Sequence, residues 1–402
     1  MSRPRVAVVT TYYRPVLGGA EAAAERLARY LARRGHAVTV LTKRTAPEHP
    51  ARQTLDDVDV RRLGSAAERS GRGKWAFAPV AAAALLRDRQ YDIVCCVDYR
   101  AIGLGALLAR AWTRTPVIFQ AQTEGVISGG RVRQGLARFG VSPHGVLAQA
   151  LTFPIRAMYG RADALACISH DLEREALAAG VPHDRVHYLP NPVDCVRFRP
   201  AHPNERASIR AALGLPADAV VAVFVGRLSR EKGVMELLDA WHRARPDARL
   251  IVIGPPMTDH PWDVSRDARA FIEREGLGGS IRLLGGQPPD VVAQWLSVAD
   301  FAIQPSHFEA MGLAAAEEMA AGLPVIASDT GGFRDFVVTG ETGAMVPVQD
   351  CSALAAAIAR FVADAPGRAR MGANARCRAE AFDERVVLEQ FARLIDRLAG
   401  AR

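Results

Sequence analysis

Long apolar runs are what this chain lacks most. Even the stretch from Ala76 to Leu86 falls far short of the roughly 20 residues a spanning helix needs, so no transmembrane segment is expected. The N-terminus, Met-Ser-Arg-Pro-Arg-Val-Ala-Val-Val, leads straight into a strand pattern with no secretory h-region, and the expected location is the cytoplasm. Cysteine is scarce: the six at positions 95, 96, 167, 195, 351 and 377 include no pair with zinc-ligand spacing, and all are expected to be reduced thiols. A G-x-G-x-x-G dinucleotide fingerprint is missing, and so is a pyridoxal-phosphate lysine signature. No zinc finger, RRM signature or helix-turn-helix logic appears, so nucleic acid is not an expected partner.

What the chain does have is enough material for two domains, with 402 residues of which 49% are hydrophobic. Its charge is uneven. Residues 1–200 carry a net +12 and residues 201–402 a net −4. A basic first half suits an anionic partner, either a lipid surface or a lipid-phosphate acceptor; arginine bias in an Ala/Arg-rich composition is the plainer alternative.

Apolar runs alternate with helical patterns. Val6–Val9, Ala37–Leu41, Asp92–Cys96, Pro116–Phe119 and Ala164–Ile168 read as strands, with a helix over Ala20–Arg34 closed by Gly35 and another from about Gly103 to Trp112. The segment from Leu189 to about Leu215, rich in Pro and charge and poor in periodicity, reads as a linker. Alternation restarts with strands at Ala219–Val225, Arg249–Ile253, Ile281–Leu284, Phe301–Ile303, Pro324–Ala327 and Ala344–Val346, with a helix over Gly233–Arg243. The fold class expected is α/β: two doubly wound, Rossmann-like domains facing a cleft, with ligands at the carboxyl ends of the strands. The expected boundaries are 1–195 for the first domain and 196–383 for the second. A last helix over 384–402 is expected to cross back to the first domain.

Three loops carry chemistry. Glu309 and Glu317 lie eight residues apart in Pro305-Ser-His-Phe-Glu-Ala-Met-Gly-Leu-Ala-Ala-Ala-Glu317, between a strand and a small-residue helix starting near Gly312. One carboxylate is offered at the loop, backbone N–H groups of Gly312 and Leu313 at the helix start, and a second carboxylate about 12 Å further on if helical rise holds throughout. Sugar hydroxyls, a diphosphate and a ribose have those needs. Gly226-Arg227-Leu-Ser-Arg-Glu-Lys232-Gly233 follows a strand, where two cations can clamp a diphosphate or merely be solvated. Gly18-Gly19-Ala-Glu21 opens the first helix, as a phosphate approach or as a tight βα turn. Among the histidines, His307 beside Phe308-Glu309 stands nearest these motifs, with a supporting role more natural than catalysis. Asp57-Val-Asp59 has the D-x-D pattern of some metal sites, but it precedes Val-Arg-Arg in an expected edge strand without an acidic neighbour, so no metal is expected.

Together these motifs resemble the retaining GT-B glycosyltransferases of glycosyltransferase family 4. The resemblance also takes in Ala162–Ser169, Val186–Asp194, Ala320–Asp329, Gly331-Gly332 and Gly340-Glu-Thr-Gly343, and so covers most of the chain. It implies transfer of a hexose from a GDP- or UDP-type sugar to a glycan or lipid-linked acceptor in envelope or exopolysaccharide synthesis, without metal or cofactor. Arg227 and Lys232 would neutralise the departing diphosphate, and Glu309 would contact the transferred sugar. Gly226, Gly312 and Leu313 would lie on phosphate or sugar, and Glu317 on the ribose. Gly286 and Gln287 would lie by the base. Gly18 and Gly19 would approach the phosphate from the other domain as the cleft closes. One departure is plain: many relatives carry a histidine where this chain has Gln122, which can hydrogen-bond a sugar hydroxyl but cannot shuttle a proton. That departure motivates a second reading as an inactive nucleotide-sugar-binding partner; an epimerase of the same fold is a third. Residues 139–155 carry no Asp, Glu, Lys or Arg and are flanked by Arg131, Arg133, Arg138, Arg156 and Arg161, a pattern that fits either an anionic bilayer interface or a buried helix.

Overall fold

The structure, a computed structural model, describes residues 3–15, 18–64, 71–88, 90–97, 102–130, 142, 145–258 and 260–400. Arg131, Arg133, Arg138 and most of 139–144 therefore lie outside the described residues. The chain divides into two compact units, one of residues 1–192 and 385–402, the other of residues 193–384.

The first unit is built on an eight-stranded sheet. In chain order its strands are β1 (Arg5–Thr10), β2 (Ala37–Lys43), β3 (Arg52–Leu55), β4 (Val58–Leu63), β5 (Ile93–Val97), β6 (Val117–Ala121), β7 (Ala164–Cys167) and β8 (Val186–Tyr188). Their spatial order is β3-β4-β2-β1-β5-β6-β7-β8, parallel throughout except where β3 pairs antiparallel with β4. β1, β5, β6 and β7 are almost entirely buried, as strands covered on both faces must be. The expectation of an edge strand after Asp57 is corrected here. Val58–Leu63 lies inside the sheet, and the short polar hairpin strand Arg52–Leu55 takes the edge. Asp59 is occupied by Arg52 and Arg61, each at 2.8 Å.

Helix α1 (Gly19–Arg33) turns Ala24, Leu27, Ala28 and Leu31 onto the sheet. Helices α2 (Gly71–Arg87), α3 (Ile102–Thr113), α4 (Val146–Tyr159) and α5 (His170–Ala178) follow in the same unit. The last helix of the chain, Glu384–Gly400, buries Leu388, Phe391, Leu394 and Ile395 in the same core as α1, β1 and β2. Polar pins fix its register: Glu389 accepts from the Tyr30 hydroxyl at 2.8 Å and pairs with Arg34, and Asp396 lies 2.8 Å from the His36 ring.

The second unit carries six parallel strands, β9 (Val220–Val225), β10 (Ala248–Ile253), β11 (Ile281–Gly285), β12 (Phe301–Gln304), β13 (Val325–Ser328) and β14 (Gly343–Val346). They are ordered β11-β10-β9-β12-β13-β14, so strand order reverses between β9 and β12. Its helices are α6 (Pro203–Ala212), α7 (Val234–Ala244), α8 (Ser265–Arg274), α9 (Pro289–Val298), α10 (Leu313–Ala320), α11 (Cys351–Ala363) and α12 (Ala365–Ala379). Trp241, Phe224, Phe301 and Phe361 fill the core.

Helix α6 lies within the segment read as linker, and this corrects that reading. Its anchor is a charge. Arg210 is 4% exposed and its guanidinium donates to the carbonyls of Ala217, Ala219 and Val298 and to Asp300 at 2.8 Å. A helix held by one buried arginine leaves no apolar stripe for periodicity to detect.

Candidate functional site

In an open parallel sheet the loops on either side of the strand-order reversal point apart and leave a ligand crevice at the carboxyl ends. In the second unit those loops are Gly226–Gly233 after β9 and Pro305–Gly312 after β12, the two segments singled out from sequence.

The first loop runs through a single 3₁₀ turn, Arg230–Lys232, to Gly233, whose φ of +66° is left-handed. A Cβ at Gly233 would sit 2.0 Å from the carbonyl oxygen of Pro305, so glycine both permits the turn and lets the loops touch. A backbone hydrogen bond from His307 to the Glu231 carbonyl, 2.8 Å, joins them again.

That approach brings Lys232 and Glu309 together. Their side chains form an ion pair and are only 19% and 16% exposed. Arg227 is not in that pair. It is 52% exposed and reaches Glu231, within its own loop, at 2.5 Å. The Glu309 backbone carbonyl accepts from Gly332, at 3.0 Å, so the Gly331-Gly332 segment braces the acid from behind. His307 places its ring 2.8 Å from the Glu236 carboxylate on α7.

Helix α10 begins at Leu313, where the sequence places its start, and Glu309 lies in the loop before it. Gly312 precedes it at φ +90°, and a Cβ there would lie 2.4 Å from the Phe333 ring. Glu309 is therefore outside the helix, and the helical ruler used to space the two carboxylates does not apply. Glu317 sits within α10, half-buried. At its other end the helix is held by Arg376 of α12, which donates to the carbonyls of Ala320 at 2.6 Å, Phe198 at 3.0 Å and Cys195 at 3.1 Å. A cation against terminal carbonyls is favourable for the helix dipole.

Gly286 and Gln287 follow β11. The Gln287 amide donates to the Leu284 carbonyl at 2.7 Å, and Gly285 accepts from Gly254 at 2.8 Å, tying the third loop to the end of β10. Among the described residues no three His, Cys, Asp or Glu side chains gather where a metal could be held.

In the first unit Gly18 and Gly19 are exposed at the start of α1, with open space beside Gly19. Gln122 follows β6 and makes a reciprocal amide pair with Asn191, both bonds 3.0 Å. The pair uses one N–H and the carbonyl oxygen of each side chain. The loop it belongs to is held by Glu175, which accepts from Gly125 and Ser128 backbone N–H groups at 2.8 Å each. Sequence reasoning missed Glu231, Glu175, Asn191 and Arg376. Glu175, Asn191 and Arg376 act through long-range contacts that no local pattern signals, whereas Glu231 pairs four residues back with Arg227.

Residues 18–192 match the family described as glycosyl transferase 4-like domain and residues 205–378 the family described as glycosyl transferases group 1. Over 94% of its length the chain is 31% identical to a D-inositol 3-phosphate glycosyltransferase of Kineococcus radiotolerans, covering 92% of that protein. It is 34% identical to an alpha-maltose-1-phosphate synthase of Mycolicibacterium smegmatis over 52% of this chain and 56% of the relative. Sucrose-phosphate synthase from Thermosynechococcus elongatus superposes with a TM-score of 0.84 at 26% identity, covering 100% of both chains. HepE from Anabaena, in complex with UDP and glucose, superposes with a TM-score of 0.76 over 98% of this chain and 99% of its own; at 20% identity this likeness speaks for the fold.

Proposed function

Since this chain belongs to the family 4 glycosyltransferases and has their GT-B fold of two Rossmann-like domains, we propose that it transfers a hexose from a nucleoside-diphosphate sugar to an acceptor hydroxyl. The transfer proceeds with retention and without a metal ion. The observation that carries this reading is the half-enclosed Lys232–Glu309 pair at the strand-order reversal of the second unit.

The chemistry follows from charge. As the anomeric C–O bond breaks, negative charge grows on the leaving diphosphate. Lys232, Arg227 and the N–H groups of Gly312 and Leu313 at the α10 start are the groups that oppose it. In the resting protein both cations are held by carboxylates, Glu309 and Glu231. Bound diphosphate takes over the cations and frees Glu309 for sugar hydroxyls. Glu317 serves the ribose, and Gly226, Gly286 and Gln287 line the nucleotide. The same reading gives Gly18 and Gly19 a phosphate contact and Gln122 a sugar hydroxyl. The acceptor oxygen bonds to the anomeric carbon on the face that the diphosphate leaves, and the acceptor proton passes to a diphosphate oxygen.

For the acceptor, relatives named for inositol phosphate, maltose-1-phosphate and sucrose-phosphate chemistry point to an anionic molecule, and so does the net +12 of residues 1–200. A lipid-linked or glycan hydroxyl near phosphate in envelope polysaccharide synthesis fits both. No helix among the described residues is long and apolar enough to cross a membrane. Peripheral contact is the finer proposal. Of twelve exposed large apolar side chains among the described residues, seven lie on α3 and α4: Leu104, Leu108 and Trp112, and Val146, Leu147, Leu151 and Phe153. A cytoplasmic enzyme resting on anionic lipid through these helices is consistent with that surface. Thermal-shift screening against UDP-, GDP- and ADP-sugars tests the donor class: a selective rise in melting temperature with one nucleotide is expected, and no response to any of them contradicts the reading.

A further inference from the structure

Glu318 is an acid with no part in the scheme above, yet it is fully buried one residue past Glu317 on α10. Its Oε1 accepts from the side-chain amide of Gln304 at 2.7 Å, and its Oε2 is buried with no hydrogen-bond partner. Gln304 is itself 2% exposed at the carboxyl end of β12, and the same amide nitrogen donates to the Val225 carbonyl at the end of β9, 3.1 Å away. One carboxyl group thus lies at the root of three site elements: the strand leading to Gly226-Arg227, the strand leading to Glu309, and the helix carrying Glu317.

An ionised carboxylate there would be poorly tolerated. Burial is the main cause that pushes its protonation well above the usual carboxyl range, and the neighbouring Glu317 charge adds to it; hydrogen bonding from Gln304 and from the Val225 backbone, and the more distant Lys232, pull the other way. The orphan Oε2 is the natural place for the proton.

We propose that Glu318 is a positioning residue for the nucleoside-diphosphate site, acting as a neutral carboxylic acid that ties α10 to the ends of β9 and β12 through Gln304. This deepens the donor reading given above and rests on it. When Glu318 loses its proton, a second negative charge appears beside Glu317 and under the loops that receive a diphosphate. Binding of an anionic nucleotide then weakens, and the Gln304 bridge must rearrange.

The sign of the stability effect follows from linkage. A carboxyl whose folded-state pKa is raised contributes stability that is fully present below its unfolded value. That contribution fades as pH rises through the folded value. Glu318→Gln keeps the shape and the Gln304 contact but cannot ionise.

The experiment measures melting temperature and UDP or GDP affinity from pH 5 to pH 9.5 for the unmodified chain, Glu318→Gln and Glu318→Ala. Expected is an alkaline fall of nucleotide affinity, on the order of tenfold, in the unmodified chain beyond any seen in Glu318→Gln. Glu318→Gln should also gain in relative melting temperature as pH rises, while Glu318→Ala loses affinity at every pH. Superimposable pH profiles for the unmodified chain and Glu318→Gln, with nucleotide bound by both, overturn the proposal. Nucleotide bound by neither overturns the donor reading instead, and the melting-temperature comparison then still decides whether Glu318 is held neutral.

Discussion

Lys232 and Glu309 hold each other where little water reaches, so each is the other's main compensation. Lys232→Ala should lower kcat by about 10²–10³, roughly 3 kcal/mol in the transition state, comparable to removing one oxyanion donor. Glu309→Ala should lower turnover at saturating donor, while Glu317→Ala should mainly raise the donor KM. Steady-state kinetics separate the two; equal loss of binding in both, with saturated turnover unchanged, contradicts the role given to Glu309. The types and spacing of these residues were legible in the chain because a strand–loop–helix pattern surrounds each. Their pairing was not, since it depends on Gly233 lying against Pro305, a contact 72 residues apart in sequence. Gln122 illustrates the same limit. Its departure from the family pattern could be read directly, but its amide partner Asn191 lies 69 residues away.

Strands were legible where an apolar run marked them, and helix α6 was misread as linker where charge does the holding. The eleven strands expected from apolar runs are present, because buried parallel strands read as short apolar runs, and the one expected after Asp57 is present inside the sheet. The polar hairpin strand Arg52–Leu55, the short strand Val186–Tyr188 and helix α6 escaped, and all three lack such a run. For α6 the physical substitute is Arg210, which spends its donors on buried carbonyls and Asp300. Arg210→Ala leaves those buried carbonyls without their donor and Asp300 with Arg206 alone, at 2.9 Å, and should destabilise the second unit by about 3 kcal/mol. Urea unfolding followed by tryptophan emission measures it through Trp241 and Trp295, both buried in that unit. A shift below about 0.5 kcal/mol would mean that α6 is a solvated appendage.

For the molecule as a whole, sequence conveyed two α/β domains and a helix returning to the first. Residues 385–400 cluster with the first unit, through Leu388, Phe391 and Ile395. The apolar surface of α3 and α4 was only half legible: the uncharged stretch near α4 was noticed, but Leu104, Leu108 and Trp112 recur at four-residue intervals that a buried helix would show equally well. Flotation with liposomes containing anionic lipid should recover the chain at low salt, less at high salt, and less still for Leu108→Glu with Trp112→Glu. Equal recovery on neutral and anionic vesicles, unaffected by the two substitutions, removes membrane contact from the account.

The central claim is that protein cations, rather than a divalent ion, receive the departing diphosphate. Its most direct test is the rate of nucleoside-diphosphate release from whichever UDP-, GDP- or ADP-sugar the thermal screen selects, measured with and without EDTA. The measurement is made on the unmodified chain and on Lys232→Ala. The rate is expected to be unchanged by EDTA and about a hundredfold lower in Lys232→Ala; abolition by EDTA, or full activity in Lys232→Ala, would show that a metal ion or other groups receive the diphosphate instead.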